Sequence, residues 1–502
     1  MKPFWTKRRS SAPVLPLVFA ILLVGKAALA KTPEHNYNPL PAPSVTEQNI
    51  EIGGRKLAFK AAASAVPVKD ARSGAILAEI ATLAFTVEPP KADAGGGVPA
   101  AACRPIVFAV NGGPGAASAW LDLGAVGPWR LPFVGAVPST PPRLVDNEET
   151  WLGFADLVFL DPPGTGYSRL PTDEAARKRF LSVEGDVEML AVVIRRWTVQ
   201  EHRQACAKYL LGESYGGFRA PKIARALQEK ENIGIKGLIL LSPVLDFSWV
   251  DGHNNPLLDA ARLPSLVASH TGAKDRAALA EAEAYARGDY LSDLLRGPQD
   301  AEALDRIAAR LSAMTGLAPE TLRRLGGRIG AKDWVRDSDP SGRTVASFYD
   351  GATRGLNPNP RRPPSDWADP VLDALRAPLA EAMEQLVTER LKWPVGDANY
   401  EILNDRISER WDWGHGRRGQ ESLSDLRRVM ALDPHVRALV AVGLSDLVTP
   451  YFGTRLLLNQ SAAVGAPDRI GFLALAGGHM FYAEDGSRAA LCDAAGKMIA
   501  GE

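Results

Sequence analysis

A chain of 502 residues is long enough for one large domain with an insertion, or for two or three smaller ones. Its 46% hydrophobic and 23% charged residues are the balance of an ordinary globular protein. Lys+Arg and Asp+Glu both number 58, so no overall field favours nucleic acid or an anionic membrane surface.

The N-terminus reads as a targeting segment. Lys2, Lys7, Arg8 and Arg9 form a basic region, residues 14–25 a short apolar run, and Ala28-Leu29-Ala30 a small-residue cleavage signal. Residues 1–30 are therefore expected to be a signal peptide rather than an anchor, because the apolar run is too short to span a bilayer comfortably. Export follows, to a periplasm or to the outside, with no stable membrane insertion after cleavage. No later segment is apolar enough to cross a membrane. Export also permits disulfides, and of the three cysteines, Cys103 and Cys206 each precede an apolar strand-like run. If those runs are parallel neighbours, the two thiols share one end of the sheet and can pair, leaving Cys492 free.

Residues 31–48, rich in Pro and Asn, read as an extended leader, and residues 50–87 as antiparallel strands around a Gly53-Gly54 turn. Then continuous apolar runs begin, of the kind that parallel strands covered on both faces show. They lie at 105–110, 155–160, 209–211, 237–245, 436–444 and 470–475. Helical patterns separate them, at 183–197 and at 219–229, the latter with Pro221 expected near its start, where a proline is tolerated. This alternation predicts an α/β fold with a mostly parallel central sheet, in which ligands bind at the carboxyl ends of the strands. About 190 residues separate the fourth and fifth runs, too many for a crossover. Residues 251–428 are read as a mainly helical cap insertion, dividing a core of 49–250 and 429–502.

The chemistry-bearing residues sit at strand ends. Gly212-Glu213-Ser214-Tyr215-Gly216 follows an apolar run and precedes a helical pattern, the layout of a nucleophile elbow, with Ser214 on a sharp turn. A serine hydroxyl needs an imidazole to take its proton and a carboxylate to orient that imidazole. Of seven histidines, His479 alone follows an apolar strand in a glycine-flanked turn, and Asp446 ends the strand before it. The order Ser214, Asp446, His479 is that of α/β-hydrolases. Oxyanion donors are sought after the serine, at Tyr215, and in the loop after an earlier strand, at Gly113 of Asn111-Gly112-Gly113-Pro114-Gly115. The bland reading of that box is a tight turn, and of the stretch from Asp161 to Ser168 a rigid loop bracing the site.

NGGPG, DPPGTGYS, GESYGG, the aspartate of GLSDLVTP and the histidine of GGHM, in this order, resemble the serine carboxypeptidase family, here as an exported member of bacterial type. The resemblance implies an α/β-hydrolase fold with a helical insertion, a peptide substrate, and release of C-terminal residues through an acyl-enzyme without metal or organic cofactor. It makes Ser214 the nucleophile, Asp446 the orienter and His479 the base, with Gly113 and Tyr215 as oxyanion hole. Asn111, Gly112 and Glu213 would hold the substrate's terminal carboxylate, Glu213 in its protonated form. Three positions depart from the family: Ala109 where Trp is common, Ala116 where Cys is common, and Ala125 where a second glutamate falls. Arg219 would be either a replacement positive charge or half of a structural salt bridge. Two other readings stand beside the first: an esterase or acyltransferase with the same triad, and a binding protein without turnover.

Overall fold

A computed structural model describes residues 39–70, 72–88, 103–133, 141–170, 174–250, 252, 254–361 and 368–501. Residues 1–30, read from the sequence as a signal peptide, most of the expected leader, residues 95–97, His253 and Trp367 lie outside the described residues. From Pro39 onward the chain forms one compact unit.

Nine strands make one sheet. In chain order they are β1 Ser44–Ile52, β2 Arg55–Lys69, β3 Ile76–Thr86, β4 Ile106–Val110, β5 Asp156–Leu160, β6 Lys208–Glu213, β7 Gly237–Leu241, β8 Arg437–Gly443 and β9 Ile470–Leu475. Their spatial order is β1-β2-β3-β5-β4-β6-β7-β8-β9. The first three are antiparallel, and from β5 to β9 all neighbours are parallel. Ser44 to Gln48, read from sequence as leader, instead form the start of edge strand β1, whose exposed and half-buried residues alternate. That half-buried pattern is weak in sequence because only one side of an edge strand faces the core.

The central strands carry no such alternation because both of their faces are covered. All five residues of β4, β5 and β7 are buried. Successive side chains point to opposite faces. Thus Ile106, Phe108 and Val110 join one core layer, and Val107 and Ala109 the other. Helix α1, Val183–Gln200, lays Val187, Leu190, Ile194 and Trp197 on the first layer at helical spacing, and the Ser182 hydroxyl caps it by accepting from Gly185 N at 3.1 Å. Helix α2, Tyr215–Glu229, adds Ile223 and Leu227 to that layer. Near the other end of the chain, Asp485–Ala500 forms a helix that sets Leu491 and Ala495 into the second layer.

Helix α2 starts directly after Ser214, earlier than its sequence pattern indicates, so Pro221 lies inside the helix and not in its first turn. The elbow is the reason: the chain turns from strand to helix at one residue. Cys103 and Cys206 are joined in a disulfide across neighbouring β4 and β6, with Cα atoms 5.0 Å apart, and Cys492 is free.

The segment between β7 and β8 is rich in helices, among them α3 Pro256–Thr271, α4 Ala301–Thr315, α5 Leu372–Gln385 and α6 Leu423–Leu432. It also holds a two-stranded ribbon, Thr344–Ala346 with Arg354–Leu356. Its helices merge with the core. Leu263 and Leu266 of α3 join the first layer, and Leu379 and Met383 of α5 the second. This mostly parallel sheet, covered by helices and carrying a strand–serine–helix turn after β6, is an α/β-hydrolase fold. Among the described residues no helix is long and apolar enough to cross a membrane.

Candidate active site

The site is assembled at the carboxyl ends of β4, β6, β8 and β9, where polar turns interrupt the apolar strands. Ser214, between β6 and α2, has φ 60° and ψ −120°, a conformation that costs a non-glycine residue of the order of 1–3 kcal/mol. The turn is held from both sides: Ser214 N donates to Leu241 O at 2.9 Å and Val244 N donates to Ser214 O at 3.3 Å. The loop after β4 comes so close to the elbow that only glycine fits. A Cβ on Gly112 would lie 2.6 Å from Tyr215 N and 2.7 Å from Glu213 O, both backbone atoms.

His479, in the turn after β9, lies with Nδ1 2.8 Å from Oδ2 of Asp446, which ends the turn after β8. Both are buried. Asp446 Oδ1 accepts from Val448 N at 2.8 Å and Thr449 N at 2.9 Å, and Oδ2 also accepts from the Thr449 hydroxyl at 2.6 Å. These donors compensate a charge that burial would otherwise penalise. For His479, burial works against protonation, but the charge and hydrogen bond of Asp446 outweigh it and leave the imidazole pKa raised. Three further contacts hold the residue, two through its backbone and one through its ring. His479 N donates to Tyr349 O at 2.6 Å, and the Tyr349 ring meets the imidazole edge to face at 5.4 Å. His479 O accepts from the Ser242 hydroxyl at 2.8 Å.

Glu213, the last residue of β6, is 2% exposed. Its Oε2 accepts from Asn111 Nδ2 at 2.9 Å, and the Tyr482 hydroxyl donates across the carboxylate, 2.9 Å from Oε1 and 3.1 Å from Oε2. Burial pushes the Glu213 carboxyl pKa up, while His479, Tyr482 and Asn111 hold it down and Asp446 adds to the rise. Asn111 is itself braced from below. Its N donates to Ser118 Oγ at 3.2 Å, the Ser118 hydroxyl donates to Leu160 O, and Ser118 N donates to Asp161 Oδ1 at 3.0 Å. Asp161, buried and pushed up to about 6 mainly by desolvation, also accepts from the Tyr400 hydroxyl at 2.8 Å. The stretch from Asp161 to Ser168 thus braces the Asn111 turn.

Ser214, His479, Asn111, Gly112, Gly113, Glu213 and Tyr215 all line one cavity of about 270 Å³, and Asp446 stands behind His479. Of the two readings of Arg219, the geometry gives the structural one. It is fully buried, 3.3 Å from Asp186 Oδ1 and 3.4 Å from Gly112 O, with its guanidinium 4.6 Å from the Tyr215 ring centroid. The guanidinium in the cavity wall is that of Arg417, stacked 4.9 Å from Phe247 and 5.4 Å from Trp413. Ala109 and Ala125, the departures noted from sequence, are both buried in the second core layer.

Sequence reasoning missed Tyr482, Thr449 and Tyr349. Thr449 stands three residues after Asp446, where its hydroxyl can reach back to the carboxylate, and that local spacing is a usable signal. Tyr482 and Tyr349 carry none, because their contacts with Glu213 and His479 come from folding alone.

Residues 99–255 match the sequence model of the serine carboxypeptidase family. The pheromone-processing carboxypeptidase KEX1 of Podospora anserina is 33% identical over 129 residues, 26% of this chain and 20% of that protein. Serine carboxypeptidase-like 13 of Arabidopsis thaliana is 30% identical over 151 residues, 28% of this chain and 33% of that one. The match spans a fifth to a third of the length of these curated relatives, which are fungal and plant proteins. Among solved structures, that of VinJ aligns over 87% of this chain and 98% of its own, with a TM-score of 0.37 and 14% identity. Over residues 99–255, which hold β4 to β7 and the elbow serine, the chain therefore carries the sequence pattern of serine carboxypeptidases.

Proposed function

We propose that the protein is a serine carboxypeptidase that removes C-terminal residues from peptides. The observation that carries this reading is one cavity bordered by an elbow serine, a histidine backed by a buried aspartate, and a buried carboxyl bound to Asn111. Ser214 attacks the scissile carbonyl while His479 Nε2 accepts its proton, and Asp446 stabilises the imidazolium through Nδ1. Tyr215 opens α2, where first-turn N–H groups have no helical acceptor, so its N–H is available to the oxyanion together with that of Gly113. His479 then gives its proton to the leaving amine, and water releases the acyl group from Ser214 by the reverse path. Asn111, Gly112 and Glu213 hold the terminal carboxylate of the leaving residue, with Glu213 protonated. Export directed by residues 1–30, of bacterial type and ending in a periplasm or outside the cell, belongs to the same proposal and rests on the N-terminal charge and apolar pattern.

A second reading, an esterase or acyltransferase with the same triad, is favoured by Ala109 and Ala125, which bring no polar group to Glu213. The test is release of amino acids from blocked dipeptides with free and with amidated C-termini, against a Ser214→Ala blank. Release confined to free C-termini supports a carboxypeptidase. Ester hydrolysis without peptide cleavage supports the second reading.

A further inference from the structure

Among the described residues, three that line the catalytic cavity can carry a full charge near neutral pH: Glu213, His479 and Arg417. The first two are engaged with Asn111 and Tyr482 and with Asp446. Arg417 takes no part in the chemistry proposed above, and it comes from the inserted segment between β7 and β8. It opens a short 3₁₀ turn, Arg417–Gly419, and that turn is tied to the chain after β7, where Phe247 N donates to Gln420 O at 3.0 Å. Phe247 and Trp413 meet edge to face with ring centroids 4.9 Å apart, and the guanidinium packs on both rings. Aromatic faces attract a cation and restrict where its head can lie, so this charge is held at the cavity wall.

The cavity has two walls that belong to different packing clusters. Glu213 stands on one, bound to Tyr482, which packs in the second core layer. Phe247 stands on the other, its ring centroid 6.4 Å from that of Tyr215 and 5.3 Å from that of Phe218, at the start of α2, in a small cluster apart from both layers. Ser214 lies between the walls, with Glu213 before it and Tyr215 after it in the chain. With Asn111 and Glu213 holding the leaving residue, the residue on the acyl side of the scissile bond falls towards Tyr215, Phe247 and Arg417. The rest of the lining is largely apolar, with Val244, Phe348, Leu372, Leu403 and Val448 among it. A carboxylate brought into such a space meets few other donors, and the low dielectric around it strengthens the contact it makes.

We infer that Arg417 is a specificity-determining residue, selecting substrates whose residue on the acyl side of the scissile bond carries a carboxylate side chain. Its five N–H donors lie in the plane of the guanidinium, and their number lets one cation serve a neighbour and a substrate carboxylate together. A glutamine in the substrate has the shape of glutamate but no charge, and a lysine there is repelled. The inference deepens the carboxypeptidase reading and rests on it for the side of the bond. The charge preference itself belongs to the acyl group, so it is readable on any substrate that acylates Ser214.

The experiment measures kcat/KM at about pH 6, where a substrate glutamate is ionised. One set of substrates is the p-nitrophenyl esters of blocked glutamate, glutamine and lysine, which present an acyl-side residue alone. A second set is blocked dipeptides carrying the same three residues before a C-terminal leucine, and a third places them at the C-terminus instead. The ratio of glutamate to glutamine cancels any loss common to both. In the wild type glutamate on the acyl side should lead glutamine by about tenfold, with lysine below both. Arg417→Gln should bring that ratio close to one, Arg417→Glu should put lysine first, and Arg417→Lys, which keeps the charge but not the planar fork, should retain part of the preference. The wild-type series decides the matter should the charge-reversed chain not fold. Equal rates for glutamate and glutamine in the wild type overturn the inference. So does a glutamate preference that survives Arg417→Gln in the folded protein, or one found only at the leaving residue. Leucine released from all three dipeptides alike leaves the carboxypeptidase reading standing and removes only the role of Arg417. Esters sorted by charge with no leucine released do the reverse.

Discussion

Nδ1 of His479 lies 2.8 Å from Oδ2 of Asp446, with the aspartate fully buried and its remaining acceptor positions filled by Val448 N, Thr449 N and the Thr449 hydroxyl. The pair fixes the side from which pH acts on the base. In the proposed mechanism His479 must be neutral to accept the serine proton, and its pKa is raised, so turnover should be lost as pH falls through that raised value. For a neutral ester, which makes no demand on Glu213, kcat/KM should rise with pH to a plateau, with its midpoint above the ordinary histidine value of 6.5. Asp446→Asn should move that midpoint down and cut kcat by about 10⁴. A midpoint that does not move would separate Asp446 from the imidazole.

Thr449 should matter more to stability than its small size suggests. Its hydroxyl is buried against Asp446 Oδ2, with Ser242 O 3.1 Å away. Thr449→Val keeps the shape and removes a donor to a buried carboxylate, at a cost of roughly 1.5–3 kcal/mol. Urea unfolding of the two proteins measures the difference, and the ester rate should fall by less than in Asp446→Asn.

Gly112→Ala places a Cβ 2.6 Å from Tyr215 N, against backbone that has no rotamer to give. The contact pushes the β4 loop off the elbow and spoils the oxyanion donors, so kcat on the ester should drop by about 10²–10³. Steady-state kinetics beside a thermal melt distinguishes a displaced loop from a lost fold.

The strain at Ser214 should be measurable as stability. Ser214→Ala removes the hydroxyl but keeps the Cβ at φ 60° and ψ −120°. Ser214→Gly removes both, and should be more stable than Ser214→Ala by about 1 kcal/mol or more. Equal unfolding midpoints would mean that the elbow stores no strain.

Cysteine chemistry divides between one disulfide pair and one free thiol. The Cys103–Cys206 link closes a loop over a sequence separation of 103, and Cys103→Ser with Cys206→Ser should cost roughly 2–5 kcal/mol of stability. Cys492, whose thiol pKa burial pushes up to about 11, holds almost no thiolate at neutral pH. Mass spectrometry after alkylation should find it unlabelled in the native protein and labelled once the protein is unfolded without reductant.

Much of this architecture is written in the chain at short range. The central strands are legible because burial on both faces leaves an uninterrupted apolar run, as in the five buried residues of β4. Ser214, Asp446 and His479 stand out for the opposite reason: each is a polar residue just past the end of such a run, Ser214 and His479 also beside glycines, where no packing role calls for it. Edge strand β1 and the true start of α2 were hidden, the first by its half-exposed pattern and the second by a one-residue turn that no propensity scale describes. Arg219 shows the limit most clearly. Its position beside the nucleophile suits a substrate-binding cation, yet only the fold reveals that Asp186, from α1, already claims it. Tyr482 was equally hidden, since a tyrosine in a terminal turn is ordinary until a buried carboxylate is found within 2.9 Å of it.

The Tyr349 carbonyl that receives the His479 N–H belongs to the long segment between β7 and β8, while the serine is set by β6, α2 and the chain around Leu241. Serine and imidazole are thus held by stretches far apart in the chain. A shift of the backbone at residue 349 would displace the imidazole while leaving the elbow untouched, so alignment of the pair is a property of the whole sheet with its insertion and not of either motif.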